Sequence, residues 1–462
     1  MAQALAVRDG RIVEVGGTDE ILWLREREYE LVDLAGRCVI PGFVDPHNHF
    51  SIGALDTLWT DVTGAPSVES IQRALAGAAR RAPAGLWVRA RGYDHAALAG
   101  RRHPTRADLD AAVPEAGEPN GLLFERALST AERKSREGWE ARFVEVARAA
   151  SLGYAAHGIT AIQDAAVTPA MARRYADARA AGALAIRVEE AMVGEHGWFE
   201  RPDDAAPGAW LKLFVDGGYR CAMRLPRDGH VRTSGFLFYE REQLAALLVA
   251  AWRGGRRVVC HAIGNLGVET AADAIEDALR REPAGRERVR VDHAMFLTRE
   301  LIARLRDLGV WLVAQPSFLH DAGGVSPSPD LLLRPFASVL AAGARQAFSS
   351  DYPCGALAPL AGIHAAVTRR SRTGVLTDPH EAITPAQALL AYTLDAAQAA
   401  GMAAEVGSLE AGKRGDFVVL SANPLECAGE ALASVEVLET WVGGERLHPA
   451  ASGTKGANRP LP

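Results

Sequence analysis

The segment Val39 to Phe50 reads Val-Ile-Pro-Gly-Phe-Val-Asp-Pro-His-Asn-His-Phe, and it places His47 and His49 two positions apart. Imidazole can ligate a metal, carry a proton or simply hydrogen-bond, and the surrounding pattern decides which. The apolar run ahead of the pair is too short for a helix and is bracketed by Pro41, Gly42 and Pro46, so it reads as a buried strand. Side chains alternate along a strand, so both imidazoles project to the same side of its end. Alone, the pair reads either as two metal ligands or as two loop histidines behind a proline-marked turn.

Other apolar runs end in the same chemistry. Val258-Val-Cys leads to His261, Val289-Arg-Val-Asp leads to His293, and Ala347-Phe-Ser-Ser leads to Asp351. Each of these alone reads as a hydrogen-bonded core residue. A buried strand has no packing reason to end in His or Asp, however. If these strands are parallel neighbours, His47, His49, His261, His293 and Asp351 converge above their C-terminal ends and can ligate a metal. Lys212 sits inside Trp210-Leu-Lys-Leu-Phe-Val, where an unpaired ammonium is costly. A pairing with Asp216 on the same strand face would relieve that cost.

The elements that must position these residues alternate in type. Strands are expected at Thr160–Asp164, Ala185–Glu190, Trp210–Val215, Arg257–His261, Arg288–His293, Val310–Gln315 and Arg345–Ser350, after the one ending at His47. Helical patterns intervene at Pro169–Ala181, Arg241–Trp252, Gly267–Arg281, Thr298–Leu308 and Arg334–Ala342. This is an α/β chain, and the count matches a (β/α)8 TIM-like barrel over residues 41–404, with its site at the C-terminal strand ends. Residues 51–150 are too many for one crossover, so they read as an insertion over the barrel mouth. It holds a helix near Val68–Arg80, a strand-like Leu86–Gly92 and a Pro/Gly-rich stretch at 113–121. Both chain ends show short alternating runs, with a hairpin signal at Asp9-Gly10. Residues 1–40 and 405–450 therefore read as one small β-sandwich composed of both termini, and 451–462 as a disordered tail.

The chain has 462 residues, 48% of them hydrophobic and 23% charged, with a net charge of −6. That composition allows a large core and gives no general attraction to nucleic acid or to an anionic membrane. No run reaches transmembrane length, and no basic-then-apolar leader opens the chain. The cysteines at 38, 221, 260, 354 and 427 are scattered, which suits reduced thiols in a cytoplasm. A small-molecule substrate is the expected partner, and association with further copies of the chain is left open.

Together the His-x-His strand, the Lys, His, His and Asp strand ends and the split sandwich resemble the amidohydrolase superfamily of metal-dependent hydrolases. Trp-Leu-Lys-Leu-Phe-Val-Asp-Gly-Gly, Cys-His-Ala-Ile-Gly-Asn and Ser-Ser-Asp-Tyr-Pro are similar to its formamide-deformylase-like branch. So is the ending Val406-Gly-Ser-Leu-Glu-Ala-Gly-Lys-Arg-Gly-Asp-Phe-Val-Val-Leu. The chain departs from that branch in two places. It runs from Val113 to Pro119-Asn-Gly-Leu-Leu-Phe-Glu125 without the usual Asp-Gly-His segment, and it has Gly264-Asn265 where Gly-Asp is common. Both departures bear on the substrate.

The resemblance implies hydrolysis of a small molecule's non-peptide carbon–nitrogen bond, amide or formamide-like, by water activated at one or two divalent metals. Zinc suits the mixed imidazole and carboxylate set, and manganese, iron and cobalt fit it too. Lys212 would be a carbamate bridging two metals, and Asp351 the general base and acid. Tyr219, Arg220 and His320 follow strand ends and could face the substrate, as could Tyr93 in the insertion, where Asp94 and His95 also suit a solvated loop. Arg220 suits a substrate carboxylate or a surface ion pair. Cys354 is expected to be a buried, inert thiol rather than a nucleophile. A deaminase or an ester or lactone hydrolase could use the same scaffold, and a binding protein could keep the barrel without catalysis.

Overall fold

The computed structural model describes residues 2–22, 30–83, 85–95, 97–105, 107–109, 134–193, 209–219, 222, 235–324 and 326–449. Eight strands form one sheet in sequence order: β1 Phe43–Asn48, β2 Ile159–Val167, β3 Arg187–Met192, β4 Trp210–Phe214, β5 Arg257–Ala262, β6 Val289–His293, β7 Trp311–Ala314 and β8 Arg345–Phe348. Every neighbouring pair in this sheet is parallel. Helices cover the outside, which is why β1 and β6 are buried along their whole length. This is the expected TIM-like barrel.

The seam between β8 and β1 is closed by single bonds rather than by a ladder. Asp351 N donates to His47 O at 3.0 Å, and His49 N donates to Tyr352 O at 2.9 Å. Asp45, 2% exposed, accepts from Ser350 N at 3.0 Å and Ser350 Oγ at 2.5 Å, and from Asn48 Nδ2 at 2.9 Å. Burial pushes the Asp45 carboxyl up to about 6, against the pull of the Ser350 and Asn48 hydrogen bonds. At the opposite seam edge, β1 pairs with β2 as Asp45↔Ile162 and Asn48↔Asp164, so Pro46 and His47 together face Gln163 alone. That local excess of one residue is a bulge, and a bulge re-aims the side chain it carries.

The outer helices follow from local sequence. Arg299–Leu308 starts at Thr298, whose Oγ1 accepts from Leu301 N at 3.2 Å, and stops at Gly309 with φ +70°. Its Leu301, Ile302, Leu305 and Leu308 recur at helical spacing and are buried. A cap of this kind contributes about 1 kcal/mol, and truncating a buried leucine to alanine costs about 2–5 kcal/mol. Inside the barrel, Val44, Ala161, Val313 and Ala347 cluster with Ala396, Ala397 and Ala399, so helix Leu394–Ala399 plugs the N-terminal end.

The two ends of the chain share one antiparallel sheet, in the order Glu445–His448, Val437–Val442, Phe417–Leu420, Cys38–Pro41. The hairpin Ala4–Arg8 with Arg11–Gly16 joins it through Ile12 N to Lys413 O and Gly412 N to Ile12 O, both 2.8 Å. Asp9 and Gly10 both have positive φ, as the tight turn expected there requires.

The stretch from Val39 was expected to be one strand, and the structure corrects this. Cys38–Pro41 belongs to the terminal sheet, whereas Phe43–Asn48 belongs to the barrel. Gly42 is the crossing point, and a Cβ there would lie 2.1 Å from Thr160 Oγ1. Within 51–150, helix Val68–Ala79 is capped by Ser67, and Thr60–Asp61 pairs with Ala90–Arg91. The 113–121 stretch, Pro119–Glu125 and the 451–462 tail lie outside the described residues.

Candidate metal centre

His47 ends the bulged part of β1, and His49 opens the helix Phe50–Asp56 one residue beyond the strand. Their rings stand 5.4 Å apart and both approach Asp351, which follows β8. His47 Nε2 lies 3.5 Å and His49 Nε2 3.1 Å from Asp351 Oδ1, the latter off the line of a hydrogen bond. Ligand atoms about 2.0–2.1 Å from one zinc stand about 3.3 Å apart, so these spacings suit a shared cation.

His293, at the end of β6, has its ring 4.7 Å from that of His47 and 4.3 Å from that of His261, which lies near the end of β5. Gln315 Nε2 donates to Val313 O and to Ser349 Oγ, so Gln315 Oε1 is left to accept from His293 Nδ1 at 2.9 Å. The His293 proton is thereby held on Nδ1. Nε2 keeps its lone pair, buried and without a hydrogen-bond partner. Asp351 Oδ1 is likewise buried without one. Unpartnered acceptors in a buried pocket are costly unless a cation completes them. His293 and Asp351 also hold φ of +76° and +53°. Non-glycine residues adopt such values at a cost of about 1–3 kcal/mol, and they concentrate at functional sites.

The electrostatics keep His47, His261 and His293 neutral and Asp351 ionised. Burial first, then Lys212, pulls His47 down to about 3. Burial likewise lowers His293, and it lowers His261 well below its ordinary value with His293 adding to the effect. Neutral imidazole is the form that binds metal. Burial pushes Asp351 up, but His47, His49 and His293 override it and hold the carboxyl well below the usual range.

Lys212 is fully buried on β4, with Nζ 3.4 Å from His47 Nε2 and 3.8 Å from Asp292 Oδ2. Burial pulls its pKa down to about 8. The carboxylate beside Lys212 is thus that of Asp292. Asp216, expected to pair with it from the same strand face, instead accepts from Ile263 N and Gly264 N at 2.8 and 2.9 Å.

Asp292 and Gln315 are the site residues that sequence reasoning missed. Asp292 Oδ2 meets His47 Nδ1 at 2.5 Å, and Arg290 and His47 hold the carboxyl well below the usual range despite burial. The signal for Asp292 was Arg-x-Asp inside an apolar strand, two polar groups on one face.

Among the weaker candidates, Tyr219 is 49% exposed with its ring 5.9 Å from Phe296. His320 lies on helix Pro316–Ala322, and Tyr93 contacts His103 Nδ1 at 3.0 Å. Among the described residues, no hydrogen bond or ring contact joins Tyr93 or His320 to the histidine cluster. Arg220 lies outside the described residues. Cys354 was expected to be buried and is exposed, because it lies in the turn after Asp351 rather than on a strand or helix.

The family model described as "Amidohydrolase family" matches residues 30–117 and 115–448. The N-substituted formamide deformylase of Arthrobacter pascens is 30% identical over 96% of this chain and 94% of its own length. The chain belongs to the amidohydrolase family. It is a hydrolase, of the class acting on carbon–nitrogen bonds other than peptide bonds.

Solved structures agree with this amidohydrolase's fold. A hydrolase from Pyrococcus horikoshii OT3, titled metal-dependent and uncharacterised, superposes with a TM-score of 0.73 at 23% identity, over 92% of this chain and 94% of that one. The atrazine chlorohydrolase of Arthrobacter aurescens TC1, solved with zinc, gives 0.54 at 17% identity, over 96% and 89%. No helix among the amidohydrolase's described residues is long and apolar enough to cross a membrane.

Proposed function

We propose that this amidohydrolase hydrolyses the carbon–nitrogen bond of a small N-formyl or N-acyl amine, with a divalent metal held by His47, His49, His261, His293 and Asp351. The observation that carries the metal reading is the triad His47, His49 and Asp351, whose ligand atoms lie within 4.8 Å of one another, with Asp351 Oδ1 buried and without a hydrogen-bond partner 3.5 Å from His47 Nε2 and 3.1 Å from His49 Nε2. Nitrogen and carboxylate donors suit zinc. Such an ion supplies positive charge that lowers the pKa of water towards about 7 and polarises a scissile carbonyl.

The chain's own residues do the rest. Asp351, ionised and buried, accepts the proton of the attacking water at its carboxylate and returns it to the leaving nitrogen. Gln315 holds the His293 proton on Nδ1. Lys212, carried as a carbamate, would offer an anionic oxygen beside His47 and His261 in place of an ammonium, and would complete a second metal position. The choice of a formyl or acyl amine as substrate is supported by likeness to the deformylase of Arthrobacter pascens.

Elemental analysis of the purified protein, followed by hydrolysis of a panel of N-formyl and N-acyl amines, tests this. We expect bound metal, and formate or carboxylate released with the free amine in equal amounts. Ammonia or alcohol release from deaminase or ester substrates, with every amide left intact, would show a different bond to be the target.

A further inference from the structure

Arg290 is 1% exposed, inside the barrel one layer below the histidine cluster. Its guanidinium is bound on every side. Nε donates to Asp292 Oδ1 at 2.8 Å and Nη2 to Asp292 Oδ2 at 3.2 Å. Nη2 also donates to Pro46 O at 2.6 Å, and Nη1 donates to Ala399 O at 2.9 Å. The plane lies 5.0 Å from the Trp210 ring. One cation therefore ties β6 to the bulge of β1, to the end of the floor helix and to β4.

Guanidinium stays charged and presents only donors, so the two oxygens of Asp292 are fixed as acceptors. Oδ2 remains in reach of His47 Nδ1 at 2.5 Å. A group that can only accept forces the ring proton onto Nδ1. Nε2, the atom facing Asp351, is then left with its lone pair. We propose that Arg290 and Asp292 are positioning residues, which set the tautomer and aim of His47 by a chain of directed hydrogen bonds from the barrel floor. They touch neither substrate nor the reacting atoms.

The same bonds predict an unusual effect of a near-isosteric change. In Asp292→Asn, Arg290 still claims the amide oxygen. The amide NH2 then faces His47 Nδ1 and donates to it, which moves the ring proton to Nε2 and blocks the lone pair. Removing Arg290 frees the amide to turn its oxygen back to His47.

The inference rests on the metal reading above, and one set of measurements separates the two. Zinc affinity of the full chain is measured by competition with a chromophoric chelator, with melting of the metal-free protein recorded alongside. We expect Asp292→Asn to weaken zinc binding by about 10–100-fold, the range seen when a ligand's hydrogen-bond partner is lost. Two further variants, Arg290→Met/Asp292→Asn and Arg290→Met/Asp292→Leu, remove Arg290 together with its carboxylate, and the loss of Asp292 beside Lys212 is common to both. They have nearly the same outline, and only the first keeps an acceptor for His47. The asparagine pair should bind zinc about tenfold or more tighter than the leucine pair, and tighter than Asp292→Asn alone, at matched melting temperatures. A merely structural pair would shift melting without producing this order. Equal affinities in the two double variants, or wild-type affinity in Asp292→Asn, overturn the proposal alone. Wild-type protein that binds no zinc overturns the metal reading and this proposal with it.

Discussion

At the scale of single residues, Lys212 carries the sharpest choice. As a carbamate it holds a second cation; as an ammonium it leans on Asp292, 3.8 Å away. Lys212→Arg keeps a positive charge and forms no comparable carbamate. We expect Lys212→Ala to lose metal and turnover, with partial recovery of both on adding short carboxylates and metal, and Lys212→Arg to stay inactive. Metal stoichiometry and turnover of the arginine variant check this, and a fully active arginine enzyme rules the carbamate out. Much of the site was legible at this scale. His or Asp ending an apolar strand is conspicuous, and parallel strands bring such ends together. The partners that hold the ligands were less so, because Asp292 and Gln315 look like ordinary polar interruptions until the strands they face are known. The left-handed φ of His293 and Asp351 leaves no mark in residue type at all.

At the scale of elements, the eight strands were legible from apolar runs punctuated by helical patterns, and helix limits fall within a few residues of expectation. Pro169–Ala180 and Arg241–Arg253 are examples. The division of β1 from Cys38–Pro41 was legible as a domain boundary at residues 40 and 41 but not as a strand break, because Val-Ile-Pro-Gly-Phe-Val runs on without a polar residue where the chain changes sheets. Gly42 makes that crossing possible, so Gly42→Ala should be overpacked against Thr160 and lose about 1–3 kcal/mol, read as a lower Tm with the same far-UV spectrum. The floor helix Leu394–Ala399 carries a second test. Burial raises the Asp395 carboxyl to about 6, so the folded chain holds this proton more tightly than the unfolded one. The stability this group contributes is present below its ordinary pKa and is lost as pH rises through about 6. Asp395→Asn should therefore melt higher than wild type at pH 7.5 and match it near pH 4, and a constant difference across that range would refute the assignment.

At the scale of the whole molecule, the barrel's core would owe little to a bound metal, since its clusters are aliphatic and aromatic. Chelation should leave the far-UV spectrum unchanged. Metal present at 100 times its Kd adds about 2.7 kcal/mol, which in a chain of this length corresponds to a Tm about 3 °C higher than that of the stripped protein. Scanning calorimetry with and without chelator reads that difference. The shared terminal sheet has a consequence in time. A ribosome makes Cys38–Pro41 long before Phe417–Leu420, its hydrogen-bonded partner. At about 5–20 residues per second, the first strand waits on the order of 20–75 s for its mate. During that interval its edge is open to any other strand that passes, so nascent chains should depend on chaperones until Phe417–Leu420 emerges, and termination before that strand should leave an adhesive edge rather than a smaller folded enzyme.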